Sequence, residues 1–110
     1  MGYAVKEHQG AIVIALDGDV DLEHSATVRD MLLDQVAKGR NLMVDLSAVT
    51  YIDSSGIASL IEALQSAKRN DTRLELVSVS DQAMRVLRLA RLDKVFAIHE
   101  SLDAALAAVA

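Results

Sequence analysis

Short apolar runs alternate with segments of helical periodicity along most of this chain, and that alternation limits the folds it can adopt. The apolar runs predicted to be strands cover residues 3–5, 11–16, 42–46, 74–79 and 95–98. The segments predicted to be helices cover residues 24–38, 57–70, 81–90 and 101–110. Strands joined through helices pair in parallel, because each crossover returns the chain to the same end of the sheet. The order of segments therefore predicts an α/β fold.

The first two predicted strands depart from this alternation. Gln9 and Gly10 lie between them, which is typical of a β-hairpin. The sequence contains no proline, no low-complexity stretch and no internal repeat that would mark a boundary. We therefore predict a single domain over residues 1–110, with a mixed, mostly parallel sheet of about five strands, an antiparallel N-terminal edge hairpin and four helices.

The net charge argues against nucleic acid as a partner. The chain carries 16 acidic and 11 basic residues, which gives a formal net charge of -5. An acidic protein repels the phosphate backbone rather than attracting it. Only 3% of the residues are aromatic, so there is also little surface on which bases could stack.

The composition also limits cofactors and compartment. Cysteine is absent, which excludes disulfides and thiolate metal sites, and His8, His24 and His99 have no metal-type spacing. No apolar run approaches the roughly 18 to 20 residues that a membrane-spanning helix needs. Residues 1–8 lack the apolar core of a signal peptide. We therefore expect a cytoplasmic protein with no cofactor, no metal and no direct membrane insertion.

The segment with the most functional information is Asp53-Ser54-Ser55-Gly56, which lies between a predicted strand and a predicted helix. At a helix N-terminus the first-turn amides have no partner within the helix, and the macrodipole is positive. A phosphate on Ser54 would add a charge of about -1.5 to -2, and we expect the free amides to be available to it. Ser and Asp are also the ordinary capping residues, so plain helix capping is the alternative.

Three segments of the chain resemble STAS domains of the bacterial anti-sigma factor antagonist type. Residues 44–57, from Val-Asp-Leu-Ser-Ala-Val to Asp-Ser-Ser-Gly-Ile, are similar to the signature block of that family. Residues 16–22 resemble its Gly-x-Leu/Val-Asp element, and residues 87–98 resemble its third helix and last strand. The resemblance covers nearly the whole chain in the family order, and it implies the STAS fold.

The resemblance implies a protein-binding switch rather than an enzyme. Antagonists of this family sequester an anti-sigma factor that is itself a serine protein kinase, and they release it when the serine after the aspartate is phosphorylated. By that pattern Ser54 is the phosphoacceptor, Asp53 is its neighbour in the motif and Gly56 starts the helix. Asp21 matches the family aspartate near the acceptor, and Ser55 has no assigned role. In the family a serine phosphatase resets the switch.

Electrostatics predict the direction of such a switch. A partner that covers the helix start has to remove water from the phosphate, which is costly. The phosphate would also face Asp53, together with Asp19 and Asp21, so like-charge repulsion opposes the complex. Phosphorylation is therefore expected to weaken binding while the domain stays folded.

Positions on the second and third predicted helices are candidates for the partner surface. Arginines recur every third residue on the third helix, which indicates either a solvated face or a contact surface for an acidic partner. Apolar side chains left exposed between the two helices would form an adaptable docking patch. The candidate partner-binding residues are Leu60, Leu64, Met84, Arg85, Leu87 and Arg88.

Other functions have less support in the sequence. A serine-hydrolase elbow has the form Gly-x-Ser-x-Gly, but Ile52 and Asp53 occupy the positions where its first glycine belongs. No Gly-Lys-Ser/Thr phosphate-binding loop occurs, and a nucleotide-binding STAS domain has no distinguishing loop here. A STAS accessory subunit of a bacterial lipid-transport ABC system, which binds its ATPase without phosphoregulation, shares the fold. That subunit stays open as the alternative to the switch.

Overall fold

The computed structural model describes residues 1–109, which form five strands and four helices. The strands are β1 (Gly2–His8), β2 (Ala11–Val20), β3 (Leu42–Ile52), β4 (Leu74–Val77) and β5 (Ile98–His99). The helices are α1 (Ser25–Ala37), α2 (Ser54–Arg69), α3 (Asp81–Leu89) and α4 (Leu102–Val109). Within this part of the chain, none of the helices has the length and apolar character needed to cross a bilayer.

The five strands form one sheet in the order β1-β2-β3-β4-β5. Strand β1 is antiparallel to β2, and the remaining neighbours are parallel. The turn between β1 and β2 has positive φ at both Gln9 and Gly10, as a type I′ hairpin turn requires. The predicted mixed sheet with an antiparallel edge hairpin is confirmed.

Helices cover both faces of the sheet. Because neighbouring strand residues point to opposite faces, Val13 and Ile14 lie in different apolar clusters. Ile14 packs in the larger cluster with buried side chains of α1, α2 and α3. Val13 packs in the smaller cluster with Ala105 and Leu106 of α4. Cover on both faces explains why residues 11–16 of β2 are apolar without interruption.

Strand β3 is longer than its apolar run. The sequence predicts a strand that ends at Leu46 and a connecting loop beyond it, but β3 continues to Ile52. The added part pairs with the last four residues of β2, with two register shifts on the way. Ser47, Thr50 and Tyr51 are exposed there, so a polar sequence is compatible with a strand. The predicted loop is therefore wrong.

The last strand is shifted along the chain. The sequence predicts a strand over residues 95–98, but the sheet pairs only Ile98 and His99. The amides of Val95 and Phe96 both donate to the carbonyl of Leu92, at 3.0 and 3.1 Å, so they form a turn instead of pairing in the sheet. Phe96 is buried in the core from this turn, which accounts for the misleading apolar run.

The parallel arrangement places two connections side by side. Val20 at the end of β2 pairs with Ile52 at the end of β3. Residues 21–24, which lead into α1, therefore lie next to the segment that leads into α2. That carboxyl edge of the sheet holds the Asp53-Ser54-Ser55-Gly56 segment.

Candidate functional site

Asp53 is the N-cap of α2. Its backbone is extended, with φ -108° and ψ -174°, and its Oδ1 accepts the backbone N–H of Ser55 at 2.9 Å and that of Gly56 at 3.2 Å. The Ser55 hydroxyl donates to the same oxygen. These bonds satisfy two of the amides that have no partner within the helix. Helix capping, the alternative to a phosphorylation site, is therefore one role of this segment.

The second oxygen of Asp53 reaches a different part of the chain. Its Oδ2 accepts the backbone N–H of Leu22 at 3.1 Å, and the Asp53 amide donates to the carbonyl of Val20 at 3.3 Å. The two partners lie about 30 residues earlier in the sequence. One carboxylate thus joins the start of α2 to residues 21–24.

Hydrogen bonds keep Asp53 ionised. The Ser55 hydroxyl makes the largest contribution and lowers the pKa of the Asp53 carboxyl below its ordinary value of 3.8. The amides of Gly56, Ser55 and Leu22 lower this pKa further, whereas partial burial opposes them. The site therefore carries a fixed negative charge at neutral pH.

The two serines of the segment differ in what their hydroxyls do. Ser54 is exposed, and within residues 1–109 its hydroxyl makes no hydrogen bond. Ser55 is half-buried, and its hydroxyl is bonded to Asp53. The expectation that a phosphate would find free first-turn amides is wrong for Ser55 and Gly56, because their N–H groups already donate to Asp53. Of the two hydroxyls, that of Ser54 is the accessible one.

Position 56 requires glycine because there is no room for a side chain, and not because of its backbone conformation. It lies inside the first turn of α2 and is buried. A Cβ at this position would lie 2.5 Å from the carbonyl oxygen of Val20 and 2.8 Å from the Cγ1 of Ile52. The glycine therefore lets α2 approach β2 closely, and that approach holds Ser54 at the sheet edge.

Acidic side chains lie at the end of β2, next to the strand that leads into α2. Asp19 accepts a hydrogen bond from the Thr50 hydroxyl at 3.1 Å, and Asp21 lies 2.7 Å from the Nδ1 of His24. Ligand atoms of Asp21, Glu23 and His24 lie within 4.8 Å of one another, a grouping that spacing between histidines alone could not reveal. Exposed acidic groups often cluster without an ion, so this grouping alone does not assign a metal site.

The predicted apolar docking patch is largely core. Leu60 and Leu87 have no exposed surface, and Leu64 is 7% exposed. All three pack in the larger cluster beneath α2 and α3. The prediction that they face a partner is wrong, because the helical periodicity that identifies them marks the side of each helix that packs on the sheet.

The remaining predicted partner residues lie on an open cleft. Met84 is half-buried, and Arg85 and Arg88 are exposed. They line a cleft of about 910 Å³ between α3 and the ends of β4 and β5. Leu89, which is 80% exposed, lies on the same cleft. The structure does not place these residues in contact with the Asp53-Ser54-Ser55-Gly56 segment.

Sequence reasoning missed Leu22. It follows Asp21 in the segment between β2 and α1, and it is 77% exposed. Its backbone bond to Asp53 places it beside the helix start. An apolar residue between two acidic ones was the available signal, but the contact that gives it meaning joins distant parts of the chain.

Comparison with known proteins identifies the family. The STAS domain profile matches residues 3–105. An anti-sigma-B factor antagonist of Listeria monocytogenes is 30% identical over 88 residues, which cover 79% of this chain and 77% of the relative. The crystal structure of an anti-sigma factor antagonist from Mycobacterium paratuberculosis is 28% identical, with a TM-score of 0.89 over 98% of this chain and 92% of the other.

A second solved structure shares the fold. The phosphorylated form of the Bacillus cell fate determinant SpoIIAA aligns with a TM-score of 0.76 over 99% of this chain and 100% of its own, at 16% identity. Identity this low shows likeness of fold alone. The profile match and the relatives together establish that the chain belongs to the STAS domain family, among the anti-sigma factor antagonists.

Proposed function

We propose that this protein binds an anti-sigma factor through the surface around Ser54 and releases it when Ser54 is phosphorylated. The anti-sigma factor is the serine kinase that modifies Ser54, and a serine phosphatase restores the binding form. The exchange takes place in the cytoplasm. The antagonists to which the chain is similar are regulatory proteins, and the binding function follows theirs.

The difference between the two serine hydroxyls carries the proposal. A kinase needs a hydroxyl that it can reach and that is free to attack a phosphate. Ser54 is exposed, whereas Ser55 is half-buried and already donates to Asp53. The acceptor is therefore Ser54.

The surroundings of Ser54 explain why a phosphate would weaken binding. The nearest first-turn amides donate to Asp53, so they do not neutralise the added charge. The phosphate would instead add its charge to that of Asp53, near Asp19 and Asp21. A partner that covers this surface would have to desolvate the combined charge, and the complex becomes less stable. The hydrogen bonds of Asp53 hold α2 in place meanwhile, so the domain stays folded.

Two comparisons support this function over that of a transport subunit. The relative and the 28% identical structure described above are both anti-sigma factor antagonists, and neither is a transporter component. A protein of the same fold has been solved with a phosphate attached, so the fold is compatible with one.

A phosphorylation assay tests the proposal. The protein is incubated with ATP and each serine-kinase anti-sigma factor encoded in the genome of its source organism, and the product is analysed by mass spectrometry. We expect one phosphate on Ser54 in the wild type and in Ser55→Ala, and none in Ser54→Ala. Ser54→Asp should lose binding to the same kinase. Modification of Ser55, or normal binding by Ser54→Asp, would contradict the proposed switch.

A further inference from the structure

Leu22 is an exposed apolar side chain next to the proposed phosphoacceptor. It is 77% exposed, and its amide donates to the Asp53 Oδ2 at 3.1 Å. Asp53 immediately precedes Ser54, so Leu22 and the acceptor lie on the same surface. Within residues 1–109, Leu89 is the other strongly exposed leucine, and it lies on the separate cleft beside α3.

Hydrogen bonds fix the position of Leu22. Single exposed apolar residues are common on proteins and usually have no function. Here, however, the amides of His24 and Ser25 donate to the Asp21 carbonyl at 3.0 and 2.9 Å, which closes the segment into a turn. With Asp53 bonded to the Leu22 amide from the other side, the backbone is held at both ends. A segment whose backbone is already held loses less entropy when a partner covers it.

The charges around Leu22 indicate the chemistry of the partner. The acidic residues nearest in sequence or by hydrogen bond are Asp19, Asp21, Glu23 and Asp53. Within the part of the chain that the structure describes, none of them forms an ion pair with a lysine or arginine. Complementarity therefore calls for a partner with an apolar pocket and a rim of basic side chains.

We infer that Leu22 is the apolar anchor of the anti-sigma factor complex, inserted into a pocket of the partner that is rimmed by lysine or arginine. Asp53 is a positioning residue, because it holds the Leu22 backbone in place through Oδ2. The inference rests on the proposed function and extends it by naming the contact that supplies affinity. It also explains why phosphorylation at Ser54 would affect the complex, since the acceptor borders the anchor.

Affinity measurements with two matched leucine variants test the anchor. Calorimetry gives Kd for the wild type, Leu22→Ala and Leu89→Ala with the serine-kinase anti-sigma factor that modifies the chain in the assay above. We expect Leu22→Ala to raise Kd at least about tenfold, as truncation of a buried interface anchor does, and Leu89→Ala to raise it less than about twofold. Unfolding midpoints of both variants should match the wild type, because both side chains are exposed.

The outcomes separate this inference from the proposed function. If Leu22→Ala binds within about twofold of the wild type while Ser54→Asp loses binding, Leu22 is not the anchor, but the proposed phosphorylation switch is still supported. A tenfold loss in Leu89→Ala instead would move the anchor to the cleft beside α3. If no serine-kinase anti-sigma factor binds the wild type, the proposed function and the anchor both fail.

Hydrogen exchange tests the positioning role of Asp53. Removal of its carboxylate in Asp53→Ala should accelerate exchange of the Leu22 amide and weaken binding. Ser80→Ala is the control, because it removes the equivalent cap of α3 and leaves Leu22 untouched. Unchanged exchange at Leu22 in Asp53→Ala would show that Asp53 does not hold this backbone. Affinity should also fall as salt is added, and a salt-independent Kd would contradict the basic rim.

Discussion

Helices α2 and α3 both begin at the carboxyl edge of the sheet, and their first turns can be compared position by position. In each helix a capping side chain accepts a backbone N–H from the residue three positions later. The residues that correspond are Asp53 with Ser80, Ser54 with Asp81, and Gly56 with Ala83. Ser55 also corresponds to Gln82, so two helix starts with the same frame differ at all four positions.

The first difference is the position of the negative charge. Asp81 places a permanent carboxylate in the first turn of α3, whereas the first turn of α2 contains no acidic residue. Negative charge at this end of a helix is favourable. Helix α2 carries its carboxylate one position earlier, at the Asp53 cap, so a phosphate on Ser54 would add a second negative group at this helix start.

The second difference is what each cap is joined to. The Ser80 hydroxyl donates to the carbonyl of Val49 at 2.7 Å, so α3 is fastened to β3. Asp53 instead bonds to Leu22, in an exposed connection. The same kind of helix start is thus tied to the sheet in α3 and to an exposed segment in α2, where the proposed binding surface lies.

Replacing Gly56 by alanine should have the largest effect on stability, and the reverse change at Ala83 is its matched comparison. Gly56→Ala would place a Cβ 2.5 Å from the Val20 carbonyl oxygen, and we expect it to lower the free energy of unfolding by about 1–3 kcal/mol. Ala83→Gly has no such clash and should cost about 1 kcal/mol through lost helix propensity. Urea denaturation of both proteins measures the difference. Wild-type stability in Gly56→Ala would contradict the close approach of α2 to β2.

Removal of the α3 cap should give a moderate effect. Ser80→Ala loses the bond to the Ala83 amide and the bond to the Val49 carbonyl, and it should lower the free energy of unfolding by about 1 kcal/mol. Phosphorylation of Ser54 should proceed at the wild-type rate, since this cap is separate from the acceptor. A slower reaction would mean that the two helix starts are coupled.

Removal of the ionised α2 cap should lower stability by an amount that depends on pH. The pKa of Asp53 is lowered by folding, so its ionised form contributes stability above the ordinary value of 3.8, and that contribution is lost as the pH falls through the folded pKa. Asp53→Asn should therefore unfold at a lower temperature than the wild type at pH 7, and the difference should shrink as the pH falls below about 4. Ser80→Ala is the control, because it changes no titrating group. A gap between Asp53→Asn and the wild type that stays constant with pH would contradict the ionised cap.

Removal of the Ser54 hydroxyl should have the smallest effect on stability. Ser54 is exposed, and its hydroxyl makes no hydrogen bond within residues 1–109, so Ser54→Ala should change the free energy of unfolding by less than about 0.5 kcal/mol. The same variant should lose all phosphorylation. A destabilisation comparable to that of Ser80→Ala would mean that Ser54 is a structural residue.

The comparison also shows how far the sequence predicts the fold. The spacing of apolar residues and the turn residues between β1 and β2 predicted the mixed sheet and the helices, because these signals are local. The second half of β3 was missed because exposed polar residues such as Ser47 and Thr50 end the apolar run at Leu46. Residues 95–98 were misplaced because Phe96 reaches the core from a turn, and a run of apolar letters does not distinguish a turn from a strand.

The candidate site was predictable in part for the same reason. The Asp-Ser-Ser-Gly segment indicated a capped helix start, and the structure places Asp53 as that cap. The close approach at Gly56 and the bond from Leu22 join residues more than 30 positions apart, and no local pattern encodes them. The spacing of Leu60 and Leu64 is that of a helix face packed on the core, which argues against a docking role.

The order of the strands has a consequence for synthesis of the protein. Each strand pairs with the one made before it, and every hydrogen-bond partner of the Asp53 side chain lies between Leu22 and Gly56. The chain leaves the ribosome with its N-terminus first. All residues that frame Ser54 are therefore outside the ribosome once α2 has emerged, before α3 and α4 follow.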